Sequence, residues 1–362
     1  MPDIQNFRVQ MEVEDEGKDN IGYEHDQKAI LRFTRVPLVT RLDLNSISPA
    51  SITKMRLALS VNALSEPISV PVMVAKGRYS GKILCLTSAI HGNELNGIPV
   101  IHRLFQEIDI EELGGTIVAI PVLNPSGYLR NERTFSDGKD LNRWFPGKKG
   151  GDPTMSYVRS IMDKIVSKVD ILIDMHTASF GRVNSFYVRA NMLNRTTKEM
   201  ALLQNPEFIV HNSSPSGSMR GEASKAGVPS ITVEIGNPQA FHSNYIRRTL
   251  QGIENILCHL DMLPDDAEIS SNLPIICSSS YWIWLKHGGV LSMVVGIGDV
   301  IKKGQMIGYV RDIFGDLVHE YYAPHVSVII GKSTNPVAQI GDRLVHLGII
   351  GTTFNENSQD GH

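Results

Sequence analysis

Residues 82–97, KILCLTSAIHGNELNG, leave this chain few choices of fold. The stretch opens as a run of apolar and small residues, bounded by Gly81 and Gly92 and too short to cross a bilayer, which reads as a central strand of an α/β sheet. His91 and Glu94 follow three apart, and a helix pattern begins behind them. Open α/β sheets hold ligands at the carboxyl ends of their strands, where the backbone leaves the sheet and side chains point into a crevice. A neutral imidazole nitrogen and a charged carboxylate oxygen placed there suit Zn²⁺, which takes a few such ligands around one open position. HxxE recurs by chance in many chains. Gly92 and Gly97 strengthen it, because they let the backbone turn closely around an ion.

A third ligand comes from an equivalent place. In residues 169–182, VDILIDMHTASFGR, another apolar run leads to a histidine, His176. Asp174 lies two residues earlier on the same side of the strand, where its carboxylate can hold the imidazole from behind. His91, Glu94 and His176 together leave zinc one position for water or substrate.

Between these strands lie the groups that a reaction at such a metal needs. DLNRWFPG, residues 140–147, carries Arg143, whose planar fork fits a carboxylate, and Asn142, which can add a hydrogen bond to the same group. NPSGYLRNERTF, residues 124–135, offers Arg130 and Arg133, one of which can face a polarised carbonyl oxygen. SITVEIGNP, residues 230–238, puts Glu234 among apolar neighbours near a strand end. A lone buried glutamate is costly, so an acid there fits a general base that activates water and then protonates a leaving nitrogen.

HGNELNG, DLNRWFPG, DMHTASFGR and TVEIG, in that order and spacing, resemble the succinylglutamate desuccinylase and aspartoacylase family, a branch of the zinc carboxypeptidase superfamily. The resemblance runs over residues 66–348. It implies one zinc per chain on His91, Glu94 and His176, with Asp140 orienting the first histidine. It further implies that Asn142 and Arg143 hold the substrate's α-carboxylate and that Glu234 is the catalytic glutamate. Arg133 is the closest match to the arginine that polarises the scissile carbonyl, with Arg130 as the alternative. The implied activity is hydrolysis of the amide of a small N-acyl amino acid or a related carboxylate-bearing substrate. A peptidase trimming peptide C-termini is the alternative, and a metal-binding or carrier-like protein without turnover is a third reading.

Composition bounds the rest. A chain of 362 residues, 42% hydrophobic and 20% charged, is long enough for a full core and a smaller companion domain. A net charge of -3 argues against a nucleic-acid footprint, and no apolar run spans a bilayer. The acidic N-terminus lacks a signal-peptide pattern, so the expectation is a cytoplasmic protein with a small-molecule substrate and no membrane partner; a homo-oligomer is left open. Cys85, Cys258 and Cys277 are scattered and read as small packed residues.

Taken in order, residues 1–64 read as an N-terminal extension and edge strands, with strand patterns at 29–36 and 52–61. Residues 65–268 read as the hydrolase domain, a mixed and mostly parallel sheet with helices on both faces. Its helices are expected at 95–108, with Leu95, Ile98, Ile101 or His102, and Phe105 on one side, at 154–169, around 220–226, and at 241–263 up to Pro264. Residues 275–350 change to short glycine-punctuated strands and read as a small all-β domain resembling the barrel of biotinyl and lipoyl carriers. Carrier function is not expected, since residues 313–316 read IFGD where a carrier presents its lysine, and Lys302 and Lys303 read as turn residues. Trp282 and Trp284 alternate as half-buried strand residues with a core role.

Overall fold

The computed structural model describes residues 35–213, 216–264, 267 and 273–354. The chain divides into Met1–Pro37 and Leu38–His362, and every element below belongs to the second unit. Most of the strand pattern at 29–36 lies outside the described residues.

The unit starts with β1 (Leu38–Val39), β2 (Ser51–Val61), β3 (Pro67–Lys76) and β4 (Tyr79–Ser88). In β2, SITKMRLALSV, Met55, Leu57 and Leu59 are buried and their neighbours are not, the period-two pattern of a strand with one face on a core. Helix α1 (Gly97–Glu107), β5 (Gly114–Ile120), α2 (Pro125–Arg130), α3 (Pro153–Lys164) and β6 (Ile171–His176) follow. Every residue of β5 and β6 is buried, as strands covered on both faces require. Next come β7 (Arg182–Asn184), β8 (Phe186–Ala190), α4 (Arg195–Leu203), β9 (Phe208–His211), α5 (Met219–Lys225), β10 (Ser230–Ile235) and α6 (Ser243–His259).

The strands of this region stand in the order β1-β2-β3-β5-β4-β6-β10-β8-β9. Its centre, β5-β4-β6-β10, is parallel, while β2-β3, β3-β5 and β10-β8 are antiparallel, so the sheet is mixed. Alternate side chains of one strand feed two different cores. Leu84 and Leu86 join the core that packs α1 and α6, and Cys85 between them joins the core under Tyr157, Val158 and Ile161 of α3. The expected stripe on α1 is corrected in its phase. Its buried side is Gly97, Val100, Ile101, Leu104 and Phe105, because Gly97 must sit against Ser88 and Met175, where an added Cβ would lie 2.5 Å from Ser88 Oγ. Leu95 and Ile98 are half-buried as a result. Gly92 likewise serves close approach, since a Cβ there would lie 2.0 Å from the Gly127 backbone; both glycines act in packing and neither adopts a positive φ.

The C-terminal strands are β11 (Ile275–Trp284), β12 (Gly289–Met293), β13 (Val300–Ile301), β14 (Met306–Arg311), β15 (Leu317–Tyr322), β16 (Ser327–Ser333), β17 (Val337–Ala338) and β18 (Arg343–Ile350). The first finding here corrects the barrel expectation: among the described residues there is no closed barrel. Strand β11 pairs with β9 in parallel and carries the large sheet on through β18, β16 and β13, while β15-β14-β12-β17 form a separate four-stranded antiparallel sheet. A carrier-like pattern of short strands specifies hairpins, and it does not specify which outer strand finds an edge to pair with. A third core, with Leu291, Ile301, Ile307, Val310 and Leu347, lies between the two sheets.

Candidate metal centre

Three adjacent strand ends build the site. Strand β4 leaves the sheet at Ala89, whose φ of +51° is unusual for a residue with a Cβ and costs on the order of 1–3 kcal/mol. His91 and Glu94 follow directly, 3% and 2% exposed. Strand β6, the parallel neighbour of β4, ends on His176, and Asp174 stands in register with Thr87 of β4. Thr87 Oγ1 donates to Asp174 Oδ1 at 2.8 Å, tying the two ligand-bearing strands together beneath the site.

Both imidazoles are oriented in the same sense. His91 Nε2 lies 3.0 Å from Asp140 Oδ1, and His176 Nε2 lies 2.7 Å from Asp174 Oδ2. Each ring therefore turns its Nδ1 inward toward Glu94. His176 Nδ1 is 2.9 Å from Glu94 Oε2; His91 Nδ1 is 3.0 Å from Glu94 Oε1 without a hydrogen bond forming, so this buried nitrogen has no hydrogen-bond partner. A carboxylate behind each histidine and an orphaned inward nitrogen are what a metal site requires of its protein. The three donor atoms lie within 4.8 Å of one another, and the two-nitrogen, one-oxygen set matches zinc. His91, Glu94 and His176 form a single buried zinc site.

Asp140 reaches His91 because it caps the turn Leu141–Arg143, accepting from Asn142 N at 2.9 Å with the oxygen that faces the imidazole. Its other oxygen accepts from Arg133 Nη2 at 2.9 Å, and Arg133 Nη1 donates to Glu94 Oε1 at 2.8 Å. Burial would raise both carboxyls, but His91 and Arg133 more than offset it and hold Asp140 and Glu94 well below the usual range. Burial pulls the Arg133 guanidinium down, and Glu94 and Asp140 outweigh it, so Arg133 keeps its charge. Arg130 is placed elsewhere: it donates to Glu132 and to the Phe135 carbonyl and does not line the cavity.

Strand β10 brings Glu234, in register with His176 on the strand beside it. Glu234 accepts from Asn184 Nδ2 at 3.2 Å and lies 3.7 Å from Arg189 Nε. Burial pushes its carboxyl up, with Glu94 adding to the effect, while His176 and Arg189 offset part of it. Asn142 accepts from Met219 N through Oδ1 at 2.8 Å, and Arg143 is exposed, its guanidinium donating to the Asn142 carbonyl at 3.1 Å.

His91, Glu94, His176, Arg133, Asn142, Arg143 and Glu234 line one cavity of about 160 Å³, whereas Asp140, Asp174 and Arg130 do not. Sequence reasoning missed part of its wall. Arg182 and Asn184 share a side of β7, Tyr187 and Arg189 share a side of β8, and Ser218 and Arg220 come from the start of α5. The alternation in RVN and FYVRA was the available signal, too short to stand out. Tyr281, Trp282, Arg343 and His346 come from β11 and β18. Trp282 is therefore corrected from core to cavity wall, where it stacks on His346 with centroids 4.9 Å apart and planes 8° from parallel. The register explains it, since Trp282 and His346 are partners across β11 and β18.

Residues 80–260 match the model of the succinylglutamate desuccinylase/aspartoacylase catalytic domain. The N-alpha-acetyl-L-2,4-diaminobutyric acid deacetylase of Halomonas elongata is 24% identical over 298 residues, 76% of this chain and 84% of that protein. The succinylglutamate desuccinylase of Pseudomonas paraeruginosa is 26% identical over 213 residues, 53% of this chain and 60% of the relative. Among solved structures, the succinylglutamate desuccinylase/aspartoacylase of Rhodobacter sphaeroides superposes with a TM-score of 0.75 at 19% identity, covering 86% of this chain and 100% of that one. The product-bound ectoine utilization protein EutE (DoeB) of Ruegeria pomeroyi gives 0.73 at 20% identity, with 83% and 94% covered. These likenesses show the fold.

Proposed function

The chain belongs to the succinylglutamate desuccinylase/aspartoacylase family, and from that membership we propose how its residues divide the work of a zinc-dependent amidohydrolase on a small acyl-amino-acid substrate. The orphaned His91 Nδ1 beside two carboxylate-backed imidazoles carries the reading. Zinc held there supplies Lewis acidity and a water of lowered pKa.

Glu234, buried and one strand from His176, takes the proton from the attacking water and returns it to the leaving nitrogen. Its raised pKa suits both halves of that task. Arg133 is held in place by Glu94, Asp140 and Ser179 and presents its charge to the carbonyl oxygen as the tetrahedral intermediate forms. Asn142 and Arg143 bind the α-carboxylate. The Asn142 oxygen is occupied by Met219 N, so the substrate meets its amide nitrogen, and Arg143, with no carboxylate partner among the described residues, offers the rest of its fork to the substrate.

A cavity of about 160 Å³ is small beside the roughly 300–1,000 Å³ of drug-sized ligand pockets, which favours a small substrate over a peptide. The relatives named above act on an N-succinyl and on an N-acetyl amino acid. We assign residues 65–268 to the hydrolase domain, related to the zinc carboxypeptidases, and 275–350 to a small β domain that walls the cavity, with 1–64 as an extension and edge. The third core between the two C-terminal sheets supports that division.

The test is metal analysis of the pure protein with a free-amine assay on N-acetyl, N-succinyl and N-formyl amino acids. One zinc per chain and turnover of one of these classes are expected. An unchanged metal content in His176→Ala would overturn the ligand assignment.

A further inference from the structure

Strand β7 is three residues long and, among the described residues, pairs only with β16: Asn184 stands opposite Gly331, Val183 opposite Lys332 and Arg182 opposite Ser333. Backbone bonds just beyond its ends, Ser185 N to the Ile330 carbonyl at 2.9 Å and Thr334 N to the Gly181 carbonyl at 2.8 Å, fix it further to the same C-terminal segment. Asn184 turns from there to the metal centre. Its Nδ2 donates to Glu234 Oε2 at 3.2 Å, the only hydrogen bond that this carboxylate accepts among the described residues, and its backbone N donates to Asn237 Oδ1 at 3.3 Å, in the turn after β10. Arg189 Nε lies 3.7 Å from the other oxygen, Oε1, too far for a hydrogen bond. The far side of the Asn184 amide meets Gly331. A Cβ built there would lie 2.6 Å from Asn184 Oδ1 and 3.1 Å from the Val183 carbonyl oxygen, so the amide occupies the space a side chain at 331 would take. A carboxylate only accepts, so the amide nitrogen must face Glu234 and the oxygen is what Gly331 accommodates.

We propose that Asn184 is a positioning residue for Glu234, and that Gly331 of β16 sets where the Asn184 amide sits, so that the C-terminal strands hold the base as well as wall the cavity. The proposal rests on the reading of Glu234 as the general base. The ladder between β10 and β6 fixes the backbone of Glu234 and leaves its side-chain torsions to Asn184 and Arg189. At 3.7 Å, Arg189 supplies charge with little direction, whereas a hydrogen bond from the Asn184 amide is directional and selects one orientation of the carboxylate. That orientation decides whether the base reaches the attacking water, and a misplacement of about 1 Å can slow a reaction by about two orders of magnitude. Gly331 then matters more for the rate than for the fold. A methyl group added there meets chiefly the end of a side chain that can swing away, so alanine costs little stability and moves the amide that holds the base. Asn184 also lines the cavity, so direct contact with the substrate is the competing role, and that role would show in KM.

The zinc-loaded full chain and its variants are assayed for kcat and KM on whichever N-acetyl, N-succinyl or N-formyl amino acid the parent turns over fastest. Asn184→Ala and Gly331→Ala should each lower kcat on the order of ten-fold, as expected for losing one hydrogen bond to a charged group, with KM changing far less. Zinc content and a melting temperature near the parent's verify that both are folded. Two double-mutant cycles then separate positioning from general damage. Asn184→Ala should lose its effect on kcat in the Glu234→Gln background, where no base is left to position. Gly331→Ala should lose its effect in the Asn184→Ala background, where no amide is left to push. Glu234→Gln with near-parental activity would remove the base reading itself. A slowed Glu234→Gln in which Asn184→Ala still costs the same factor would keep that reading and overturn the positioning role, as would a parental kcat in Gly331→Ala or a loss confined to KM. Crystal structures of the parent and of Gly331→Ala decide the geometry without turnover: an Asn184 amide displaced from Glu234 is expected, and an unmoved contact overturns the proposal.

Discussion

Glu234 and His176 are register partners on adjacent parallel strands, β10 and β6. Neighbouring strands lie about 4.8 Å apart, so the hydrogen-bonded ladder sets the separation of the proposed base from the metal ligand, and no loop has to find it. The ladder continues to β4, where Thr87 opposes Asp174, which puts His91, Glu94, His176 and Glu234 on three consecutive strand ends.

Replacing Glu234 by glutamine keeps shape and most hydrogen bonding while removing the base. Normal folding, near-normal zinc content and a kcat lower by roughly 10²- to 10⁴-fold are expected. Activity within a few-fold of the parent would show that another group takes the proton, and lost zinc would make Glu234 a ligand.

The pH profile follows from the same residue. Burial raises the Glu234 pKa, and the base works only when ionised, so kcat/KM should decline on the acid side at a pH above the ordinary carboxylate range. Glu234→Gln should lose that limb altogether; a parent enzyme whose acid limb sits at or below about 4.3, the unperturbed glutamate value, contradicts the assignment.

Asp174 and Thr87 act behind the ligand. Asp174→Asn leaves His176 without its anionic partner and should weaken zinc binding about 10- to 100-fold, read by chelator competition. Thr87→Val removes one hydrogen bond to Asp174 and should cost about 1 kcal/mol of stability with a smaller effect on zinc. Equal zinc affinity in parent and Asp174→Asn would mean that His176 needs no such support.

Arg143→Ala should raise KM for a carboxylate-bearing substrate by one to two orders of magnitude, since a charge-assisted pair contributes about 1.5–3 kcal/mol. The corresponding amide should lose much less. Equal losses on both would place the arginine's role in the fold or in transition-state stabilisation.

Chelation should abolish hydrolysis and lower the melting temperature, because binding to the folded state adds about 2.7 kcal/mol at a ligand concentration a hundred times Kd. Added zinc should restore both, and full activity in verified metal-free protein would exclude a role for the metal in turnover.

The chemistry of the centre was legible in the chain because parallel strands advertise themselves. Each is a short apolar run, and the residues just past its end fall into the crevice, so His91, Glu94, His176 and Glu234 could be named from order and pattern alone. Asn142 and Arg143 could be proposed because they sit in one compact motif, while the place of Asp140 behind His91 came from the family resemblance. The choice between Arg130 and Arg133 was not legible. Both belong to one polar segment, and only the folded chain turns Arg133 onto Glu94 and Asp140 while Arg130 bonds to Glu132 and the Phe135 carbonyl.

Sequence by itself determined the central strands, four of the helices and the metal ligands, because these depend on periodicity and on residues near one another in the chain; the short helices Pro125–Arg130 and Arg195–Leu203 and the strands β7 to β9 were not read from it. Tertiary structure alone decided the far wall of the cavity and the large sheet's C-terminal extension. Arg182 and Arg343 are separated by much of the chain, and what brings them to Trp282 is the pairing of β7 with β16, of β16 with β18 and of β18 with β11. Backbone hydrogen bonds between strands carry no residue code, so which distant edges meet is settled by how whole faces pack, a property no local pattern contains.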